Sequence, residues 1–182
     1  MVENKTYSYL LGQYLGDGYI NKTTRTYRLR IFNDIKNVSL NEFIIRKLSD
    51  AFPKNKVNSY KLNNVIVTYV YSNKIPNLFP QHGKGLKNSR NVELLDWQRE
   101  IMDYQYLLAG LLHSDGCAYF DRGYRMYSFK NTSKDILNIF IDCCNALNLS
   151  YSKTKNYIYI RKRESVSWVY KNIGDKQIIK LL

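Results

Sequence analysis

Two nine-residue segments, LLGQYLGDG at 10–18 and LAGLLHSDG at 108–116, share one pattern: an apolar run of helical character that ends in Asp-Gly. Their aspartates, Asp17 and Asp115, stand 115 − 17 = 98 residues apart in a chain of 182. One copy alone is an ordinary helix with an Asp-Gly stop. Two copies half a chain apart constrain the fold to a pseudo-twofold arrangement, with the helices meeting and the carboxylates brought together. Gly12 and Gly16 are four apart, as are Gly110 and Ser114, so each helix shows two small residues on one face. Small residues at that spacing let two backbones approach closely. Leu10, Leu11, Tyr14 and Leu15 in one copy, and Leu107, Leu108, Leu111 and Leu112 in the other, supply core contacts. Gly18 and Gly116 are expected to close the helices as left-handed caps. Asp17 and Asp115 then lie at helix C-termini, where the macrodipole disfavours negative charge, and they repel each other. A divalent, oxygen-preferring cation is the natural partner of such a pair.

The repeat runs on beyond the motif. YRLRIFND at 27–34 follows the first copy and YRMYSFKN at 124–131 follows the second. Phe32 to Phe43 and Phe129 to Phe140 are both 11 residues. Each half continues into an amphipathic stretch: Val38, Leu40, Phe43, Ile44 and Leu48, then Ile136, Ile139, Phe140, Cys143 and Leu147. Asn37 or Ser39, and Thr132 or Ser133, are the candidate N-caps. The alternating runs VIVTYVYS at 65–72 and NYIYIRKR at 156–163 predict strands, and further helical segments follow near Ile75–Phe79 and Ser165–Ile173. The reading is α+β, a duplicated αββαββα half-domain with pseudo-twofold symmetry. The halves span 1–81 and 104–182, joined by a connector at 82–103. Neither half alone would bury a large core, and a shared interface cures that.

The net charge of +13 is spread over both halves, +8 in residues 1–100 (16 Lys/Arg, 8 Asp/Glu) and +5 in 101–182 (12 and 7). That distribution fits a polyanion bound symmetrically; a Lys-rich genomic bias is the plainer alternative. Seventeen tyrosines fit strand surfaces that pack their rings and offer hydroxyls to phosphates or bases. No run of about 18 apolar residues occurs, which argues against a membrane span. MVENKTYSYL lacks the features of a signal or transit peptide, so the expected location is intracellular, in cytoplasm or nucleoid. Cys117, Cys143 and Cys144 lack zinc-ligand spacing and read as buried thiols. His113 reads as a packing or hydrogen-bonding histidine. The loop QHGKGLKNSR, holding His82, lacks a P-loop signature and reads as a connector basic enough to graze a phosphate.

Strand alternation selects the outward side chains. Tyr27, Leu29 and Ile31 share one face, which leaves Arg28 and Arg30 on the other. Arg125 and Tyr127 are taken as the matching outward pair in the second half. Tyr157, Tyr159, Arg161 and Arg163 oppose Ile158 and Ile160, and Lys61 shares a face with Val57 and Ser59. Such rows of side chains can reach base edges along a groove, arginine to guanine being the commonest contact.

Taken together, the paired motifs and the repeated strand–helix pattern, from about Tyr7 to about Ile173, resemble the LAGLIDADG homing endonucleases of the two-motif, single-chain type. The resemblance implies two four-stranded antiparallel sheets forming a saddle on a long, specific duplex DNA site, with the motif helices at its centre. The metal-binding acid of that motif falls on Asp17 and Asp115. The sixth motif position is Leu15 in one copy and His113 in the other. Polar or basic groups near the scissile phosphates fall near Asn33, Lys130 and Asn131, and near Lys74, Arg161 and Lys162. The expected activity is a double-strand break by metal-dependent phosphodiester hydrolysis, with Mg²⁺ or Mn²⁺ held by Asp17 and Asp115. Lys130 and Arg161 are the basic catalytic candidates. Arg28, Arg30, Lys61, Arg125, Tyr127, Lys130, Arg161 and Arg163 are the DNA-contact candidates, and a monomer is expected. The alternatives are a non-cleaving, sequence-specific transcriptional regulator on the same scaffold and an RNA maturase.

Overall fold

The computed structural model describes residues 2–181. Its first half runs α1 (Asn4–Leu15), β1 (Gly18–Lys22), β2 (Tyr27–Asp34), α2 (Val38–Ala51), β3 (Val57–Leu62), β4 (Val65–Tyr71) and α3 (Ile75–Leu78). A 3₁₀ turn (Lys87–Ser89) and α4 (Asp96–Ile101) follow. The second half repeats the order as α5 (Tyr104–Ser114), β5 (Gly116–Asp121), β6 (Tyr124–Lys130), α6 (Lys134–Ala146), β7 (Ser152–Lys153), β8 (Tyr157–Ile160) and α7 (Arg163–Asn172). Each half is therefore the predicted αββαββα unit. Each holds one antiparallel sheet of four strands, in the orders β1-β2-β4-β3 and β5-β6-β8-β7.

Local chemistry accounts for the boundaries. Asp103 caps α5 by accepting from the Tyr106 amide at 3.1 Å, and Ser133 caps α6 through the Ile136 amide at 3.4 Å. Arg122 and Gly123, both at positive φ (49° and 83°), close the β5–β6 hairpin as a two-residue turn. In each sheet one face packs on helices: Leu29, Ile31 and Val70 in the first, and Phe129, Ile158 and Ile160 in the second, are at most 1 % exposed. Phe129 stacks on Phe140 of α6 at 4.4 Å, so the 11-residue spacing between these phenylalanines marks a sheet–helix contact in this half.

The two halves share a single core through α1 and α5. Leu10, Leu11, Leu15, Leu107, Leu108 and Leu111 are at most 1 % exposed and belong to one continuous cluster. The crossing point is set by Gly12 and Gly110. A methyl built on Gly110 would lie 2.3 Å from the Tyr9 carbonyl oxygen and 2.9 Å from the Gly12 Cα. One turn on, a methyl on Gly16 would strike the Ser114 side chain. All four small residues predicted for the interface are in it.

The expectation for Gly18 and Gly116 needs correction. Neither has a positive φ, so neither is a left-handed cap. Both are the first residues of strands that fold straight back over their own helix. A Cβ on Gly18 would stand 2.4 Å from the Tyr14 Cα, and one on Gly116 would stand 2.4 Å from the Leu112 carbonyl oxygen. Glycine is required there by closeness, not by backbone conformation.

Segment 82–103 is packed rather than slack. Val92 and Leu94 are buried, and Gln98 of α4 is fully buried, donating to the Tyr7 hydroxyl at 2.6 Å. The Val92 amide donates to Asp135 of α6 at 3.0 Å, which ties the segment to the second half. Beyond α7 the tail returns toward the first half, where Gln177, Ile178 and Leu181 line a groove with Phe43 and Arg46 of α2. Among the described residues no helix is long and apolar enough to cross a membrane.

Candidate active site

Asp115 is the C-cap of α5, and Asp17 immediately follows Gly16, the C-cap of α1. The crossing of the two helices fixes where both carboxylates stand. Asp115 is close enough to Asp17 for its charge to act on it. Burial, then the charge of Asp115, pushes the Asp17 carboxyl up to about 6. Burial also raises Asp115, against the stabilising hydrogen bond it accepts from Asn131. That bond, Asn131 Nδ2 to Asp115 Oδ2, is 2.7 Å. Asn33 is the counterpart of Asn131, each two residues beyond the equivalent residues Ile31 and Phe129, which pair with Gly18 and Gly116. It lines a groove of 330 Å³ together with Asp17 and Lys176.

Two lysines complete the cluster, and the sequence reading did not single out either. Lys87 Nζ donates to the carbonyls of Tyr14, Leu15 and Gly16 at 2.5, 3.0 and 2.8 Å. It thereby caps the C-terminus of α1, where a cation is favoured. Lys176 Nζ donates to the Ser114 carbonyl at the end of α5. Both lysines pull the Asp17 and Asp115 carboxyls down against the effect of burial. Burial in turn lowers Lys87 to about 8, although both aspartates oppose the shift. Lys87 shares a second groove, of 340 Å³, with Asn131. The arrangement is crosswise: Asp17, Asn33 and Lys176 line one groove, while Lys87, Asn131 and its bonded Asp115 form the other cluster.

A signal for these lysines is present in the chain. Gly85-Leu86-Lys87 and Gly174-Asp175-Lys176 are both Gly-x-Lys, each following the last helix of its half. In both, the glycine is left-handed, at φ 81° and 83°, and the turn it permits swings the lysine back onto the motif helix. Lys130 and Arg161, expected as the basic partners of the aspartates, lie elsewhere. Lys130 ends β6 with its ammonium 5.4 Å from the Tyr157 ring, and Arg161 follows β8 with its guanidinium 3.9 Å from the Tyr159 ring. Both belong to the open sheet face.

The pairing places Arg28 and Arg30 on that open face, alternating with buried Leu29 and Ile31. Four other residues expected on an open face lie elsewhere. Arg125 and Tyr127 share the packed face with Phe129: Tyr127 is 2 % exposed, and Arg125 is paired with Asp175 at 2.7 Å. The register equates Ile31 with Phe129, so the true counterparts of Arg28 and Arg30 are Met126 and Ser128. Lys61 pairs with Ile66, on the side that carries Val57 and Val70, and so points away from the open face. Arg163 begins α7 and is not in a strand. The Tyr27-Arg28 and Tyr124-Arg125 dipeptides are one residue out of register with each other, so they present opposite faces.

His113 is fully buried, with Nδ1 3.2 Å from the Tyr9 hydroxyl, and burial drives it down to about 3. It is a neutral hydrogen-bonding residue of the helix interface, as expected. Cys143 and Cys144 are buried thiols, but Cys117 is exposed on β5.

The donor set suits a hard divalent cation. Among the described residues no group of three or more His, Cys, Asp or Glu side chains converges, which excludes a closed all-protein cage there. Two carboxylates with room left for water and phosphate oxygens are how Mg²⁺-type ions are ordinarily held beside a phosphate substrate.

The chain matches no protein-family model and no curated protein by sequence. Solved structures do match over nearly its whole length. I-DmoI in complex with DNA and Mn is 19 % identical, with a TM-score of 0.64, covering 92 % of this chain and 95 % of the other. I-WcaI bound to its DNA recognition sequence is 18 % identical at a TM-score of 0.61, covering 100 % and 88 %. The LAGLIDADG meganuclease I-AabMI bound to uncleaved DNA is 13 % identical at a TM-score of 0.51, covering 96 % and 85 %. The paired acid-tipped helices and the two four-stranded sheets of this chain are the fold of the LAGLIDADG homing endonucleases.

Proposed function

We propose that the protein is a two-motif, single-chain homing endonuclease of the LAGLIDADG type, acting as a monomer on a long specific site in duplex DNA. The observation that carries this reading is the crosswise cluster of Asp17, Asn33 and Lys176 against Asp115, Asn131 and Lys87. A protein that only bound DNA would have no use for two mutually repelling carboxylates where phosphates must approach. Duplication gives one such cluster for each strand.

Each residue type has a chemical task. Asp17 and Asp115 supply hard oxygen ligands for Mg²⁺ or Mn²⁺. The cation, when bound, supplies Lewis-acid stabilisation of the leaving 3′ oxygen and an acidified water. Asn33 and Asn131 orient the carboxylates, as the 2.7 Å bond to Asp115 shows for one half, and keep amide capacity for water. Lys87 and Lys176, held on helix-end carbonyls, place positive charge where the pentavalent phosphate gains negative charge. The open sheet faces, with Arg28, Arg30, Lys130 and Arg161 set among tyrosines, position the backbone and read base edges.

Incubating the protein with a plasmid library of randomised sites in Mg²⁺ or Mn²⁺, with EDTA as control, tests the reading. Linearisation of a selected subset of plasmids is expected. Tight, selective binding with no cleavage in either metal would replace the nuclease with a regulator, and preference for structured RNA over duplex DNA would replace it with a maturase.

A further inference from the structure

The open faces of the two sheets are not equivalent, and the difference bears on the target sequence. On the first sheet, two cross-strand rows each have an arginine at the centre. Arg30 lies between Tyr19 and Tyr69, and Arg28 lies between Asn21 and Tyr71. Both guanidinium groups are held in place. Arg30 sits 5.1 Å from the Tyr19 ring and 5.6 Å from the Phe32 ring. Arg28 donates to Asn21 Oδ1 and to the Tyr71 hydroxyl, each at 3.4 Å. The Nε of Arg30 is shielded from solvent yet has no hydrogen-bond partner, so this group has donor capacity that the protein does not use. On the second sheet the register places Met126 and Ser128 at those two positions, and neither can form a two-pronged contact to a base. The arginine nearby, Arg161, lies off the central strand, with its guanidinium over Tyr159 and its Nε donating to the Tyr119 hydroxyl at 3.4 Å.

From this asymmetry we infer that the target site is lopsided: the half-site under the first sheet contains two guanines read by Arg30 and Arg28, and the half-site under the second contains no equivalent pair. The inference rests on the reading of the sheets as the DNA-contacting faces. Residues two apart on a strand are separated by about 6.8 Å, or about two base-pair steps of B-DNA. The guanines are therefore expected about two steps apart, Arg30 reading the one nearer the centre. A planar fork of N–H donors matches guanine O6 and N7; stacking on Tyr19 fixes the Arg30 fork without using those donors, whereas Arg28 exchanges its long bonds to Asn21 and Tyr71 for the base.

Selection of bound duplexes from a randomised pool, with the full chain in Ca²⁺, tests this directly. The expected result is a consensus with two G·C positions about two steps apart on one side only. Arg30→Lys and Arg28→Lys keep the charge and lose the fork. Each is expected to erase guanine preference at its own position, a loss of about 10- to 100-fold in discrimination, while binding to random duplex stays within about threefold. Melting curves check that both variants fold, and Ser128→Ala is expected to leave the consensus unchanged. A consensus equally strong in both halves, or guanines that survive both lysine variants, overturns the inference and leaves the endonuclease reading standing. No enrichment of any duplex overturns both.

Discussion

Replacing Gly12 with alanine tests the helix crossing on which the site depends. The new methyl would lie 2.6 Å from the Leu107 carbonyl oxygen and 2.8 Å from both the Gly110 Cα and the Leu111 nitrogen. These are backbone atoms of α5, so no rotamer change relieves the contact and the helices must separate. Ordinary contact begins at 3.4 Å, which requires a shift of 3.4 − 2.6 = 0.8 Å along the worst direction. Overpacking of a closed interface costs about 1–3 kcal/mol, and a purely backbone clash belongs in the upper part of that range. For a chain of this size 1 kcal/mol moves the melting temperature by roughly 2–4 °C, so a fall of roughly 5–10 °C is expected. Gly83→Ala is the control, because its methyl meets only the flexible Arg90 side chain, 3.3 Å away. It is expected to stay within about 0.5 kcal/mol of the parent. Calorimetry on both variants at neutral pH decides the matter. A Gly12→Ala protein that melts within about 1 °C of the parent would show that the helices do not cross there.

Other predictions follow from the charges. Burial holds the Asp17 carboxyl at about 6 in the fold against 3.8 ordinarily, so folding favours its protonated form. The stability this gives is full below pH 3.8 and is lost as pH rises through about 6. The shift sets a ceiling of about 3 kcal/mol. With partial solvent contact, Asp17→Asn should stabilise the DNA-free protein by about 1–2 kcal/mol at pH 7.5 and by nothing near pH 3.5, as measured by denaturant titration. Lys87→Met removes three hydrogen bonds to the end of α1; it should lower stability by about 1–2 kcal/mol and turn cutting of supercoiled plasmid into nicking. Affinity for duplex DNA should fall with a log–log salt slope on the order of −5 or steeper, and a shallow slope would argue against a broad phosphate interface. Sedimentation should return the 21.5 kDa monomer, and a stable dimer without DNA would contradict the single-chain reading.

The features legible in the sequence were those carried by repetition. The motif pair and the alternating strands each occur twice, and each leads to an element of the duplicated fold; the 11-residue Phe–Phe spacing also repeats, but Phe32 stands on the open face beside Arg30 whereas Phe129 packs on Phe140. Gly12, Gly16, Gly110 and Ser114 were legible because helix periodicity puts small residues on one face whatever the partner. The misreadings came where a local rule stood in for long-range geometry. Gly18 and Gly116 looked like caps because Asp-Gly ends many helices, but the constraint is the strand passing over Tyr14 and Leu112. Arg125 and Tyr127 looked outward because Tyr-Arg occurs in both halves, yet strand register, which only pairing fixes, shifts the second copy by one residue. Lys87 reads in the sequence only as one charge of a basic connector and Lys176 not at all, because they lie 70 and 61 residues downstream of the aspartates (87 − 17 and 176 − 115). Only the paired Gly-x-Lys turns mark them, and the fold then brings them back to the ends of the motif helices.

The central claim is that Asp17 and Asp115 exist to hold a divalent cation against the two strands of a bound duplex. Its most direct test compares the wild type with Asp17→Asn and Asp115→Asn on the selected site, following binding and cleavage separately in Mg²⁺ and Mn²⁺. The account predicts that each variant binds at least as tightly as the parent, since a charge that repels phosphate is gone, while double-strand cleavage is lost. Undiminished cleavage by either variant would contradict it.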